Sequence, residues 1–208
     1  MLAALFDLDG VLIDSEGTYT QFWEEIDLIY PTGIPNYAKV IKGTNLQKIL
    51  ANYPSQQVRD DIVRRIDEFE ADMEYPLFDG AERLLMELRK HGIPTAIVTS
   101  SSTQKMDSLF VKLPSLREMV DEIVTGSEVK HSKPDPEGYL TAANKLGVSP
   151  DDCVVFEDSL QGLEAGRRSG AKVVGIATTN PRSALIGRAD IIVDSVADLT
   201  LEILIKTL

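Results

Sequence analysis

The sequence predicts an α/β protein in which a doubly wound parallel sheet carries a small inserted α-helical domain. Short apolar runs typical of buried strands alternate with helix-period segments after residue 76, whereas residues 15–75 contain no strand-like run. Polar segments with carboxylate, hydroxyl or ammonium groups lie at or near the ends of such runs. Because ligands bind beyond the carboxyl ends of strands in such sheets, these segments predict the position of a functional site.

Size and composition bound the class of protein. The 208 residues are enough for one sizeable domain plus a smaller one, and 43% apolar with 26% charged residues is typical of a soluble globular chain. The formal charge of −12 argues against nucleic acid and membrane surfaces as partners, because both are polyanions, but leaves small anionic substrates open.

Targeting signals are not recognisable in the sequence. Cys153 is the single cysteine, so no internal disulfide can form, which fits a reducing compartment. The first residues lack the basic region of a signal peptide, and no apolar run reaches membrane-spanning length. We therefore expect a cytoplasmic protein, and the small helical insertion is compatible with a monomer.

Six apolar runs predict the strands, and five helix-period segments predict helices of the core. The strands are expected at residues 2–6, 95–98, 122–124, 153–156, 173–177 and 191–193. The helices are expected at residues 81–91, 104–110, 136–146, 160–169 and 197–206. Gly92, Gly147 and Gly170 directly follow three of these helices, as is common at helix C-termini.

The insertion shows apolar stripes at helical spacing. One stripe consists of Phe22, Ile26 and Ile29, and a second of Val58, Ile62, Ile66 and Phe69. We expect a helical cap domain over residues 15–75, and a core formed by residues 1–14 and 76–208.

The first polar segment, residues 6–11 (FDLDGV), places Asp7 at the end of the first strand and Asp9 two residues further on. A phosphate ester is anionic, so its attack by a carboxylate requires a divalent cation and fixed cationic groups. Asp7 is the expected nucleophile, and Asp9 the expected acid that protonates the leaving oxygen and then the base that deprotonates water. An acidic loop without catalytic function is the alternative for this segment alone.

The second and third segments supply hydroxyls and an ammonium. Thr99, Ser100 and Ser101 follow the second strand, where hydroxyl and N–H groups can bind phosphate oxygens, although helix capping alone would also explain them. Lys133 lies beside two prolines that stiffen its loop, and we expect it to neutralise charge on Asp7 and the phosphoryl group. A solvated surface lysine is the alternative.

The fourth segment ends the strand at residues 153–156 with Glu157 and Asp158. Mg²⁺ prefers a few carboxylates together with waters and substrate oxygens. Asp158, Asp7 and the backbone carbonyl of Asp9 would suffice as protein ligands, with Glu157 as a further ligand or as a residue that orients one. Alternatively, Glu157 and Asp158 are simply acidic residues that stabilise a helix N-terminus. All four segments together, with complementary charges at one sheet edge, favour magnesium-dependent phosphoryl transfer.

The chain resembles the haloacid dehalogenase superfamily of phosphotransferases over essentially its full length, and most of all its phosphoglycolate phosphatases and β-phosphoglucomutases. The resemblance rests on residues 6–12 (FDLDGVL), 98–101 (VTSS), 133–136 (KPDP) and 157–166 (EDSLQGLEAG). It implies a Rossmann-like core with a helical cap inserted after the first segment. It also implies Asp7 as the nucleophile, Asp9 as the acid/base and Thr99 as a phosphate ligand. Lys133 would neutralise charge, and Asp7, Asp9 and Asp158 would bind Mg²⁺.

In this superfamily the cap closes over the site and contacts the substrate, which excludes water. Residues 41–46 (IKGTNL) resemble the cap loop of the mutases. Lys42, Gly43, Thr44 and Asn45 are therefore candidate substrate-binding residues, in addition to Ser100 and Ser101. Lys42 is expected either to contact an anionic part of the substrate or to be an ordinary helix-end lysine.

Two departures from the mutases favour hydrolysis. The mutases carry a histidine soon after the first segment, where this chain has Tyr19, and an arginine in the cap loop, where Thr44 and Asn45 stand. His91 and His131 do not replace the missing histidine. We predict a magnesium-dependent phosphatase that hydrolyses a small phosphorylated metabolite, of the sugar phosphate or phosphoglycolate type, through an aspartyl-phosphate.

Other functions stay open at this point. They are a β-phosphoglucomutase-like phosphomutase, an inorganic pyrophosphatase and a non-catalytic, phospho-accepting binding protein. A haloacid dehalogenase would leave the pair Asp9 and Asp158 unexplained, and a receiver domain has about half this length.

Overall fold

The computed structural model describes residues 2–42 and 44–203. Within this part of the chain, six strands form one sheet: β1 (Ala3–Phe6), β2 (Thr95–Val98), β3 (Glu122–Val124), β4 (Cys153–Glu157), β5 (Lys172–Ile176) and β6 (Ile191–Val193). The strand order is β3-β2-β1-β4-β5-β6, and every pair of neighbours is parallel. The predicted fold class is confirmed. The predicted bounds of β2, β3 and β6 match the observed ones, those of β1 and β4 differ by one residue at one end, and β5 is shifted by one residue at both ends.

The central strand β1 is buried on both faces of the sheet. Its side chains alternate between two hydrophobic clusters, Ala4 and Phe6 in one, Ala3 and Leu5 in the other. Phe6 pairs in register with Phe156 of β4, and the two rings stack with centroids 4.3 Å apart. A continuous apolar run is therefore required at β1, because neither face contacts water.

Helices in the described residues cover both faces of the sheet and form the insertion. They are α1 (Glu16–Ile29), α2 (Tyr37–Val40), α3 (Leu46–Leu50), α4 (Gln56–Asp72), α5 (Ala81–Lys90), α6 (Thr103–Lys112), α7 (Pro114–Met119), α8 (Glu137–Leu146), α9 (Leu160–Ser169) and α10 (Arg182–Leu185). Buried residues of α5, α6 and α7 pack on the sheet face that holds Phe6, and those of α8 and α9 on the opposite face. None of these helices is long and apolar enough to cross a membrane.

The predicted C-terminal helix over residues 197–206 is wrong at its start. Val196–Asp198 form a 3₁₀-helix, because the Ser195 side chain and the Asp198 carboxylate cap each other's backbone in a tight turn. Helical structure resumes at residues 201–203, and residues 204–206 lie outside the described part. The short helices α7 and α10 were not predicted from the sequence.

The insertion has a hydrophobic cluster of its own. Its buried members come from α1 to α4 and the turns between them: Phe22, Trp23, Ile26, Tyr37, Ala38, Ile41, Ile49, Tyr53, Ile62 and Ile66. The predicted stripe of α1 extends too far, because Ile29 at the end of the helix is 48% exposed. The four helices thus pack around buried residues of their own, while the partly buried Tyr19 and Phe69 pack against both this cluster and the one on the sheet.

Candidate active site

The predicted segments meet at one edge of the sheet. Asp7 directly follows β1, Thr99 follows β2 and Asp158 follows β4, and these three strands are adjacent. Lys133 lies in the loop between β3 and α8. A cavity of about 140 Å³ separates this edge from the helical insertion, and all four residues line it.

A buried ion-pair network lies at the centre of this edge. The Lys133 ammonium donates to Asp7 Oδ1 at 2.5 Å, to Glu157 Oε1 at 2.5 Å and to the Val98 carbonyl at 3.1 Å. The Lys133 side chain is only 7% exposed, so the alternative of a solvated surface lysine is wrong. The three donors of the ammonium are therefore matched by three acceptors.

Glu157 is fully buried and bonded at both oxygens. Oε1 also accepts a hydrogen bond from the Tyr139 hydroxyl at 2.6 Å, and Oε2 accepts bonds from the backbone N–H groups of Asp158 and Ser159 and from the Ser159 hydroxyl. A Cβ atom at Gly162 would lie 1.8 Å from Glu157 Oε1. Only glycine in the first turn of α9 leaves room for this carboxylate.

The loop after β1 lies against the loop after β4. Gly10 has a φ of +84°, and a Cβ atom there would lie 2.1 Å from Asp158 Oδ2. The Thr178 hydroxyl donates to the Gly10 carbonyl at 2.5 Å, and the Asn180 amide donates to the Asp158 carbonyl at 2.9 Å. The close approach of the two loops brings the carboxylates of Asp7 and Asp158 together.

Carboxylate oxygens of Asp7, Glu157 and Asp158 lie within 4.8 Å of one another. Burial raises the pKa of Asp7 to about 8, with Lys133 opposing the rise and the charge of Glu157 adding to it. Burial, together with the charges of Asp7 and Glu157, also raises the pKa of Asp158 well above its usual range. The raised pKa values of Asp7 and Asp158 mean that three ionised carboxylates around one ammonium are unfavourable, and a bound cation would favour their ionised forms.

Asp9 is held by a different set of donors. The Lys105 ammonium donates to Asp9 Oδ1 at 2.8 Å and to Oδ2 at 2.7 Å. The Ser101 hydroxyl donates to Oδ2 at 3.1 Å, and the Ser15 hydroxyl donates to Oδ1. Burial would raise the pKa of Asp9, but the charge of Lys105 and these hydrogen bonds lower it below its usual value.

Sequence reasoning did not single out Lys105, which lines the cavity and is 2% exposed. A signal was present in the helical pattern, since Lys105 shares the buried face of α6 with Met106 and Leu109. A lysine on the apolar face of a helix that begins at a polar loop indicates a buried partner, because an unpaired ammonium is costly to bury.

The hydroxyl residues after β2 lie at the cavity as expected. Thr99 is buried, and its Oγ1 accepts a hydrogen bond from the Ser101 backbone N–H at 3.0 Å. Ser100 and Ser101 also line the cavity, and the Ser101 hydroxyl is bonded to Asp9.

The candidate substrate-binding residues of the insertion have different surroundings. Lys42 and Thr44 line the cavity, and the Lys42 ammonium forms an ion pair with Glu16 at 2.6 Å. Asn45 instead caps α3, because its Oδ1 accepts a hydrogen bond from the Lys48 backbone N–H at 3.0 Å. Gly43 lies outside the described residues.

Tyr19, at the position where the mutases carry a histidine, lines the cavity. The Tyr19 hydroxyl donates to Glu70 Oε1 at 2.7 Å, and both residues line the cavity. His91 is exposed on the surface, and the exposed His131 contacts Glu137.

Comparison with known proteins identifies the family. Residues 1–170 match the model of the haloacid dehalogenase-like hydrolases. The chain belongs to this family, and the expected enzyme class, a hydrolase of the haloacid dehalogenase superfamily, is confirmed.

Three curated relatives illustrate the range of activities around this chain. It is 32% identical to the validoxylamine A 7'-phosphate phosphatase of Streptomyces hygroscopicus subsp. limoneus, over 94% of each chain. It is also 32% identical to the bifunctional riboflavin kinase/FMN phosphatase of Arabidopsis thaliana, but 95% of this chain spans about half (54%) of that protein. The β-phosphoglucomutase of Bacillus subtilis is 29% identical, over 98% of this chain and 94% of the mutase.

A solved structure agrees with the fold. The family IA, variant 3 hydrolase of the superfamily from Entamoeba histolytica superposes with a TM-score of 0.85 at 28% identity, covering 100% of this chain and 99% of that one. The six-stranded parallel core and the inserted helices are therefore shared along the whole length.

Proposed function

We propose that this protein is a magnesium-dependent phosphatase that hydrolyses a small phosphorylated metabolite through an aspartyl-phosphate on Asp7. The observation that carries this proposal is the ion pair between Asp7 and the buried Lys133 at the wall of a cavity. A carboxylate fixed in this way presents one oxygen to the cavity while its negative charge is partly balanced. The phosphatases among the relatives support the same class of reaction.

The reaction takes place in two displacements. An Asp7 oxygen attacks phosphorus, the bond from phosphorus to the ester oxygen breaks, and that oxygen takes a proton from Asp9. Asp9 then accepts a proton from a water that attacks the phosphoryl group on Asp7, which releases inorganic phosphate and restores the carboxylate. Lys133 balances charge throughout, and Thr99 and Ser100 are proposed to bind phosphoryl oxygens.

The donor set at the sheet edge fits Mg²⁺. Side-chain oxygens of Asp7 and Asp158, together with the backbone carbonyl of Asp9, are the hard oxygen ligands that this ion prefers. When bound, the ion supplies positive charge that stabilises the phosphoryl oxygens. The excess of carboxylates over ammonium groups around Asp7 supports its presence.

Glu157 is proposed to position Lys133 rather than to bind the metal directly. Each of its oxygens already accepts hydrogen bonds from protein groups, so little coordinating capacity is left. The room that Gly162 leaves for this carboxylate supports the same role.

We propose that residues 15–75 act as a cap that contacts the leaving group. The insertion lines the cavity with apolar residues, among them Trp23, Ile41 and Ile49. It also contributes polar and charged residues, among them Glu16 and Glu70, so the wall opposite Asp7 is mixed. The cavity of about 140 Å³ is smaller than most small-molecule sites, which favours a small substrate, and we propose a sugar phosphate or a compound like phosphoglycolate. The cytoplasmic location expected from the sequence stays a prediction.

Phosphomutase activity is the second candidate, because a β-phosphoglucomutase is among the relatives. A mutase must hold an intermediate with two phosphate groups and therefore needs a second cationic site. Lys42 lies where such a site would be expected, but Glu16 at 2.6 Å already neutralises its charge. This ion pair favours hydrolysis of a monophosphate.

The first experiment measures phosphate release from a panel of phosphorylated metabolites, including β-glucose 1-phosphate, phosphoglycolate and pyrophosphate, with Mg²⁺ and with a chelator. Magnesium-dependent release supports the proposal, and the ranking of substrates identifies what the cap selects. No release, together with conversion of β-glucose 1-phosphate to glucose 6-phosphate in a coupled assay, would favour the mutase. Release that persists in chelator would contradict the role of the metal.

A further inference from the structure

The loop that follows β5 contacts both of the loops that carry the proposed metal ligands. It comprises residues 177–180 (ATTN) and ends before Pro181, which precedes α10. Neither the sequence motifs nor the proposed reaction assigns a role to its side chains. Thr179 in the middle of the loop lines the cavity, so the loop reaches the edge of the sheet at which Asp7 and Asp158 lie.

Asn180 holds the loop after β4. Its side-chain amide donates to the Asp158 backbone carbonyl at 2.9 Å. The backbone N–H groups of Asp158 and Ser159 donate to Glu157 Oε2, each at 3.2 Å. Because each peptide group is planar, these bonds fix the peptide planes on both sides of the Asp158 Cα atom. They therefore set the direction in which the Asp158 carboxylate leaves the backbone.

Thr178 holds the loop after β1 in a similar way. Its hydroxyl donates to the Gly10 carbonyl at 2.5 Å, and the Gly10 N–H donates to the Ile13 carbonyl at 2.9 Å. The Gly10 N–H and the Asp9 carbonyl belong to the same planar peptide group. The two bonds therefore set the direction of the Asp9 carbonyl, which is one of the proposed metal ligands.

The three loops meet at a single point. A Cβ atom at Gly10 would lie 2.1 Å from Asp158 Oδ2 and 2.9 Å from Thr179 Oγ1. The loop after β5 is itself tied to the sheet, because the Ala177 N–H donates to the Val193 carbonyl of β6 at 2.9 Å. The loops after β1 and β4 are thus held by a third loop with its own anchor.

We propose that Asn180 and Thr178 are positioning residues, which fix the metal ligands of Asp158 and Asp9 so that the site favours Mg²⁺ over Ca²⁺. This inference rests on the proposed function, in which these residues bind Mg²⁺. Mg²⁺ requires near-octahedral ligands at about 2.0–2.1 Å, whereas the larger Ca²⁺ accepts variable geometry at about 2.3–2.6 Å. Ligands that lose their fixed direction therefore bind Mg²⁺ less well, while Ca²⁺ tolerates the change.

The test is Asn180→Leu, which keeps a side chain of similar size but removes the donor. Urea unfolding without substrate, at a series of Mg²⁺ or Ca²⁺ concentrations, gives the Kd of each ion from the stabilisation it produces. We expect the Kd for Mg²⁺ to rise by about 10-fold and that for Ca²⁺ to change by less than about 3-fold.

Thr178→Val should have a smaller effect in the same direction. Thr178 is exposed, so water can replace its hydroxyl at the Gly10 carbonyl. We expect the Kd for Mg²⁺ to rise by about 3-fold. Thr178→Ser retains a hydroxyl and should bind Mg²⁺ as the wild-type protein does.

Asn52→Leu is the matched control. The Asn52 side chain also donates to a backbone carbonyl, that of Ile49 at 3.0 Å, but Asn52 lies in the insertion and does not line the cavity. Its loss can lower stability in the presence of a chelator, and it should leave the Kd of both ions unchanged.

A Kd for Mg²⁺ that Asn180→Leu leaves unchanged, or an equal rise for Mg²⁺ and Ca²⁺, would overturn the positioning role. A purely structural contact would lower stability in chelator without altering the preference between the ions. A wild-type protein that Mg²⁺ does not stabilise would instead contradict the metal of the proposed function. The two failures are distinguishable because the wild-type protein is titrated first.

Discussion

The Lys133 ammonium lies 2.5 Å from Asp7 Oδ1, although 126 positions of the sequence separate the two residues. The same ammonium lies 2.5 Å from Glu157 Oε1, so one buried cation serves two carboxylates. The stability of the sheet edge therefore depends on Lys133.

The variant Lys133→Met should destabilise the protein by about 3–5 kcal/mol, because it leaves the buried carboxylates of Asp7 and Glu157 without their cation. Urea unfolding in the absence of divalent cations measures this loss. Lys145→Met provides the control, since the ion pair of Lys145 with Glu128 is partly exposed and is worth about 1 kcal/mol or less. Equal destabilisation by the two substitutions would contradict the buried network.

The variant Asp7→Asn should lower phosphate release by about four orders of magnitude or more, because the amide is a poor nucleophile. The fold should persist, since Lys133 keeps Glu157 and the Val98 carbonyl as partners. Activity is measured with the best substrate of the panel, and folding by circular dichroism and thermal unfolding. Turnover near the wild-type rate in a folded variant would exclude Asp7 as nucleophile.

The variant Gly162→Ala should destabilise the protein by about 2 kcal/mol, because its methyl group would overlap the Glu157 carboxylate. Gly17→Ala is the matched control, because Gly17 lies in α1 with no atom near its missing Cβ. This control should be neutral or stabilising by about 0.5 kcal/mol. Urea unfolding of both variants tests the difference, and a neutral Gly162→Ala would show that Glu157 has room to move.

The thiol of Cys153 should be unreactive in the folded protein. It is fully buried in β4, and burial raises its pKa to about 11, so the reactive thiolate is scarce at pH 8. Labelling with a chromogenic disulfide reagent should be slow in buffer and complete in denaturant. Rapid labelling of the native protein would indicate that the central strands open readily.

The positions of Asp7, Thr99 and Asp158 could be predicted because each directly follows a strand of the sheet. Alternation of apolar runs and helices identifies the strands, and parallel pairing brings their carboxyl ends to one edge. The position of Lys133 could be predicted by the same reasoning, although the preceding strand β3 ends at Val124 and a loop lies between them.

The contacts between the core and the insertion could not be predicted in this way. Lys105, Tyr19 and Glu70 meet only because α6 packs beneath α1 and α4, and no local pattern encodes that packing. Asn45 is the reverse case, because its side-chain contact is a local one: it caps a helix, which is a preference that the sequence itself carries. Sequence reasoning therefore finds residues fixed by strand ends more readily than residues fixed by helix packing.

The separate hydrophobic cluster of the insertion has a consequence for divergence within the family. Trp23, Ile41 and Ile49 contribute both to this cluster and to the cavity wall, whereas Asp7 and Lys133 belong to the sheet edge. Substitutions that reshape this wall can be accommodated by repacking among α1 to α4. Under the proposed function, substrate preference can therefore change, in nature or by design, while Asp7, Lys133 and the strands beside them are retained.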